Sequence, residues 1–175
     1  MPAYMSKEEI KSSIESATRY LREHPEEARS TDPPAVAKLE EGLRFRVEGP
    51  KGRLVFTDMS KTVGGKESAP SPGWLFRAAL ASCDATVIAM RAAQLGITLE
   101  KIEVTVDSES DDRGLLGIDD SVPSWPLSSR TRILISAQGV PPERLHEVVE
   151  WAEAHSPVGD AMRRAIPCNV EIQVQ

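Results

Sequence analysis

Cys83 is the side chain of this 175-residue chain best suited to covalent chemistry. A thiolate is a strong nucleophile, and a nearby cation or helix N-terminus favours it; without such help a buried cysteine is a small apolar residue. Spacing alone leaves both readings open. Cys168 alternates in phase with Val170, Ile172 and Val174, which puts it on the inner face of a terminal strand. Two cysteines do not make a disulfide framework. His24, His146 and His155 have no metal-ligand spacing with them, so no metal site is expected. His155 stands beside Ser156, but no nucleophile elbow surrounds that serine, and Gly64-Gly65 lacks the Walker pattern. No cofactor is expected.

The element that must position Cys83 is the run from Ser71 to Gly96. Ser71 before Pro72 is an N-cap followed by a proline at the first helical position, and Gly96 supplies a left-handed C-terminal cap. Between them the segment is apolar nearly all round, while Arg77, Asp84 and Arg91 recur every seven positions along one thin line. That pattern predicts a buried central helix, and its length of roughly 35–40 Å suggests a dimer core.

The other elements follow from periodicity. Ser6 and Glu9 have capping-box spacing, and Ile10, Ile14, Ala17 and Leu21 form the buried stripe of an amphipathic helix ending near Arg22. Pro25 to Ala35 is a polar, proline-rich connector. Leu43, Phe45 and Val47 alternate with charged residues, and the turn Gly49 to Gly52 leads into Arg53–Thr57, giving a β-hairpin. Asp58 to Ala69 is a loop. Strands follow at Ile102–Val106 and Arg130–Ala137, separated by an acidic excursion, Ser108 to Ser129, that carries Leu115, Leu116 and Trp125. A helix after Pro142 buries Leu145, Val148, Val149 and Ala152, with a helical turn over Gly159–Ala165 and the strand through Cys168 last. Hairpins segregated from helices predict an α+β fold, with residues 1–35 a helix and linker and 36–175 one domain.

Composition narrows the function. The chain is 40% hydrophobic and carries 21 basic against 27 acidic residues, a formal charge of −6. Scattered basic residues and few aromatics give no nucleic-acid signature. No apolar run of about 18 residues lacks a charge, and the N-terminus has no apolar core, so neither a membrane span nor a signal peptide is expected. The cytoplasm, where thiols stay reduced, is the expected compartment.

The run PSPGWLFRAALASCDATVIAMRAAQLGITLEKIEV, Pro70 to Val104, resembles the core motif of the OsmC/Ohr family, the osmotically inducible and organic hydroperoxide resistance proteins. The preceding GGKESAPSP and the later HSPVGDAMRRAIPCNVEIQV resemble that family's loop and C-terminal motifs, and the likeness spans about Leu39 to Val174. The resemblance implies an intertwined homodimer whose sheets wrap two central helices. It also implies a peroxidatic cysteine that attacks a hydroperoxide and a second cysteine, in a Cys-Pro segment, that resolves the sulfenic acid. An arginine and a glutamate hold thiolate and peroxide, and a dithiol or lipoylated protein is the reductant.

Carried over residue by residue, Cys83 takes the peroxidatic position. Ser156-Pro157 stands where Cys-Pro is expected, and a serine cannot form the disulfide. Gly73 and Trp74 stand where the glutamate should be, with Glu67 a displaced substitute. Arg44 is the best match for the arginine and Arg46 its competitor, each otherwise a solvated strand residue. Two readings follow. One is a thiol-dependent hydroperoxide reductase with Cys83 and Arg44 as its catalytic residues, an apolar pocket lined by Trp74 or Phe76, and an external thiol or lipoyl-type reductant. The other keeps the fold and binds a small apolar ligand at a dimer interface without catalysis.

Overall fold

The computed structural model describes residues 4–164 and 166–174. Helix α1, Lys7–Glu23, begins at a complete capping box: the Glu9 carboxylate accepts from the Ser6 amide at 2.6 Å, and Ser6 Oγ accepts from the Glu9 amide at 3.2 Å. The stripe expected to be buried is not. No residue of α1 is buried and Leu21 is 43% exposed. What ties its first turn down is polar: Lys7 Nζ donates to Thr98 Oγ1 and to the Gly96 carbonyl.

Strands β1, Val36–Glu41, β2, Arg44–Glu48, and β3, Leu54–Thr57, form an antiparallel sheet in that order, so the expected hairpin gains a third strand. The first turn passes through Gly42 at φ +57°, where a side chain would be strained.

Helix α2, Pro72–Gln94, is the predicted central helix with its predicted caps: Ser71 Oγ accepts from the Trp74 amide, and Gly96 has φ +73°. Its burial differs from expectation. The buried residues Leu80, Asp84, Ile88 and Ala92 follow one another at four-residue spacing, so the thin polar line faces inward at Asp84. Trp74 and Phe76 are 50% and 38% exposed. The helix is also long and apolar enough to match a membrane span by composition.

Strands β4, Lys101–Glu109, and β5, Ser128–Ser136, pair with each other, and residue 100 meets 136 while 109 meets 127, an antiparallel ladder. Between them helix α3, Asp112–Leu115, is capped by the Asp111 side chain. Helix α4, Pro142–His155, buries Leu145, Val148 and Ala152, and α5, Pro157–Arg163, follows after one residue.

The chain divides into two compact units. One comprises the start of α1 through Ser12, Leu80–Val106 and the chain from Arg130 onward. Its core is Ile88 and Ala92 of α2 with Val148 and Ala152 of α4, flanked by Ile102, Val104, Ile133 and Ile135 from the β4–β5 ladder. The other comprises Ser13–Ala79 and Asp107–Ser129. The terminal strand predicted through Cys168 does not form. Residues 166–174 have no regular structure, Cys168 is exposed, and Val170, Ile172 and Val174 are 79%, 82% and 90% exposed. Alternation supplies a face for a strand, but a strand also needs a ladder to satisfy its backbone, and among the described residues none pairs with this segment.

Candidate functional site

Cys83 projects from the middle of α2, partly buried, and both cysteines are free thiols. Its sulfur lies 3.3 Å from Ser156 Oγ, in the residue between α4 and α5. The expectation that Ser156 stands in the second-cysteine position thus has a geometric counterpart: the hydroxyl touches the thiol. Ser156 is fully buried and has three partners. It caps α5 by accepting from the Gly159 amide at 3.2 Å, and it reaches Asp84 Oδ1 at 2.6 Å. A hydroxyl has one proton and two lone pairs. The short approach to a carboxylate assigns the proton to Asp84. The thiol hydrogen and the Gly159 amide then fill the lone pairs, and every capacity of the oxygen is used.

Asp84 follows Cys83 in sequence yet is only 1% exposed. Its second oxygen, Oδ2, is buried without a hydrogen-bond donor, as is Oε1 of Glu153 on α4. Burial, then the charge and the carboxyl of Asp84, push the Glu153 acid above its ordinary range, and Arg163 opposes them. Arg163, from α5, also donates to the Glu153 main-chain carbonyl at 2.8 Å. Gly159 allows this crowding: a Cβ there would lie 3.1 Å from Ser156 Oγ and 3.2 Å from an Arg163 nitrogen. Two residues before Glu153 on α4, Trp151 carries the Arg91 guanidinium 4.4 Å from its ring centre and stacks with His155 at 4.0 Å.

Asp84, Glu153 and Arg163 escaped the sequence reading. Asp84 enters that reading only as one member, with Arg77 and Arg91, of the thin charged line at seven-residue spacing. A signal was present, since the aspartate also sits midway between Leu80 and Ile88 at four-residue intervals.

Arg44 and Arg46 belong to the other unit, each already engaged. Arg44 donates to Glu40 at 3.1 Å and Ser68 Oγ at 2.7 Å, and its guanidinium lies over the Phe56 ring. Arg46 pairs with Glu48 at 2.9 Å. Ser68 in turn donates to Asp58, a 2% exposed carboxylate that also accepts from the amides of Met59, Lys66 and Ser68. These donors, Ser68 foremost, hold Asp58 down to about 2. Glu67 accepts from the Lys61 amide, a loop bond. The loop needs Gly65, because a Cβ there would lie 1.9 Å from the Met59 carbonyl oxygen. Ligand atoms of His24, Glu26 and Glu27 cluster within 4.8 Å, but His24 pairs with Glu26 and the Tyr20 hydroxyl donates to Glu27.

An apolar cavity of about 570 Å³ opens between β5 and α4, lined by Ile133, Ile135, Val140, Leu145 and Val149. Trp74 and Phe76, the expected lining, are not part of it.

Comparison with known proteins accords with this architecture. An OsmC-like protein of Mycoplasma pneumoniae superposes with a TM-score of 0.66 at 12% identity, over 78% of this chain and 91% of that one. An organic hydroperoxide resistance protein OsmC of Legionella pneumophila gives 0.54 at 22% identity, over 74% and 89%. The organic hydroperoxide resistance protein OhrB of Bacillus subtilis gives 0.52 at 17%, over 77% and 93%. These likenesses show the fold. No protein of curated function matches the sequence. The family model for OsmC-like proteins matches residues 65–171, from the loop before α2 to the segment after α5, and the chain therefore belongs to the OsmC-like family.

Proposed function

We propose that the protein is a thiol-dependent reductase of small organic hydroperoxides that works with Cys83 alone, without a second cysteine. The observation that carries the reading is the contact between Cys83 Sγ and a hydroxyl that is itself bonded to a buried carboxylate. A sulfur so placed has a path for its proton. In the first half of the cycle the thiolate sulfur attacks the distal oxygen of ROOH, the O–O bond breaks, ROH leaves and Cys83 becomes a sulfenic acid. With serine at 156, the sulfenic acid is reduced by an external dithiol, monothiol or lipoyl-type reductant. The first reductant sulfur forms a mixed disulfide and releases water; the second displaces Cys83 as the thiol. Arg44 is the proposed cation for the peroxide, because its planar guanidinium suits two adjacent oxygens and Ser68 and Phe56 hold it in a fixed pose. The setting we propose is a cytoplasmic homodimer, where reduced thiols are at hand.

Purified protein mixed with cumene hydroperoxide and dithiothreitol tests the proposal. Peroxide loss that disappears in Cys83→Ser supports it; equal background loss in both proteins overturns it. The apolar cavity favours a second reading, retention of a small apolar ligand without turnover. That reading expects saturable binding of a fluorescent fatty acid in wild type and Cys83→Ser alike, with no peroxide loss.

A further inference from the structure

One wall of the apolar cavity between β5 and α4 is a strand edge. The consecutive residues 133–137 all line it, facing Leu145 and Val149 of α4. Successive side chains of a strand point to opposite faces, so five residues in a row share one groove only where it runs along the edge. β4 holds the other edge of β5, and among the described residues no strand covers this one. An uncovered edge beside apolar side chains is a template for a further strand, and natural sheets cover or blunt such edges.

The same compact unit carries a segment that lacks what this groove offers. Cys168, Val170, Ile172 and Val174 alternate with Asn169, Glu171 and Gln173, yet the segment has no ladder among the described residues. Val170, Ile172 and Val174 are 79%, 82% and 90% exposed, and no described residue of the segment lines the groove. Extended, residues 168–174 reach about 23 Å, more than the about 16 Å of edge at 133–137, so one segment covers the whole wall. A strand laid there pairs its main chain with β5 and turns one set of alternate side chains toward α4. The apolar set meets Leu145 and Val149, and the polar set faces water. Peptides are recognised at sheet edges in this way, the main chain giving affinity and alternate side chains giving specificity.

We propose that this groove is an interface between copies: each chain lays residues 168–174 as a strand on the free edge of β5 in a second copy and receives that copy's segment in return. The second copy is the occupant for two reasons. The chain's own segment stands outside the groove with its apolar side chains in water. Each chain also has one groove and one complementary segment, so a two-fold pair closes on itself and leaves neither over. The inference rests on the homodimer proposed above and names the contact that makes it.

The test follows the full chain by sedimentation velocity across a dilution series, with Ile172→Pro, Ile172→Asp and Ile172→Val beside it. Position 172 is 82% exposed, so these substitutions leave the core of a single chain alone. Wild type is expected to sediment at twice the 19.1 kDa of one chain. Proline removes an amide from the ladder, and aspartate puts a charge on the apolar face. Each is expected to weaken association about tenfold per segment and so about 100-fold per pair. Valine is expected to keep it. A second measurement maps the contact through the native thiol of Cys168. A chain with Cys83→Ser, Cys168→Ser and one of Leu134→Cys, Ser136→Cys or Ala137→Cys is mixed with Cys83→Ser and oxidised with diamide. Mass spectrometry is expected to find Cys168 linked to at least one of the three positions across two chains. Association undiminished in both Ile172→Pro and Ile172→Asp overturns this contact and leaves the homodimer standing on another surface. A wild type that is monomeric at every concentration overturns both. When Cys168 and the introduced cysteine are placed in one chain, a bond that forms within that chain and never between two overturns the second copy as occupant.

Discussion

Replacing Ser156 by cysteine would place a second sulfur where the family resemblance expects one, and the structure sets the size of each effect. Oγ already lies 3.3 Å from Cys83 Sγ, while a disulfide needs about 2.05 Å, so the sulfurs must close a gap on the order of 1 Å. In the reduced state a weak thiol donor replaces the hydroxyl on a buried carboxylate. Losing that bond costs about 2 kcal/mol. For a chain of this size the midpoint of thermal unfolding should fall by about 4–8 °C. Oxidation reverses the sign. Positions 83 and 156 are 73 residues apart, and closing such a loop stabilises by about 4 kcal/mol. The oxidised variant should therefore melt about 10 °C above its reduced form. The assay is a thiol titration under denaturing conditions before and after one equivalent of cumene hydroperoxide. The two native thiols and the introduced one should fall from three to one, since the sulfenic acid on Cys83 condenses with its new neighbour and releases water. Three thiols remaining after both hydroperoxide and diamide would refute the reasoning, because the pair would then not be poised for bond formation.

Other outcomes follow from the same geometry. Because Glu153 holds its proton above the ordinary Glu value, its stabilising contribution is full below about pH 4.5 and is lost as pH rises through its folded-state value. Glu153→Gln, which cannot ionise, should match wild type in melting temperature at pH 4 and exceed it at pH 8. Asp58 behaves oppositely: depressed to about 2, it stabilises above pH 4 and ceases to as pH falls toward 2. Asp58→Asn should therefore melt lower than wild type at pH 7, with the two converging near pH 2. Gly65→Ala forces a methyl group against the Met59 carbonyl and should lower stability by about 3 kcal/mol in a denaturant titration, whereas alanine at Gly49, where a Cβ meets nothing nearer than 3.7 Å, should cost far less.

What the sequence made legible was whatever depends on near neighbours. The Ser6–Glu9 box, the Ser71 and Gly96 caps of α2 and the buried stripe of α4 are contacts within a few positions, and each is where its spacing says. What it hid depends on a partner far along the chain. Cys168 and Val170 carry a strand's alternation, but the segment finds no ladder among the described residues. Ile10 and Ile14 form a stripe without being buried. At the site, Cys83 was visible because its chemistry is rare. Asp84 was hidden because its meaning lies in Ser156 and Glu153, 72 and 69 positions away in sequence. In the sequence the serine stands out beside His155 and for the disulfide it cannot form, while in the structure its part is the set of hydrogen bonds it does form.

One oxygen atom fastens the start of α5, donates to an interior carboxylate and faces the sulfur. When that sulfur gains an oxygen, the hydroxyl meets a new claimant for its lone pairs, and the first turn of the following helix must feel the change. On the function proposed above, the oxidation state of Cys83 would thereby be felt in the anchorage of Pro157–Arg163, and through Arg163 at the main chain of Glu153.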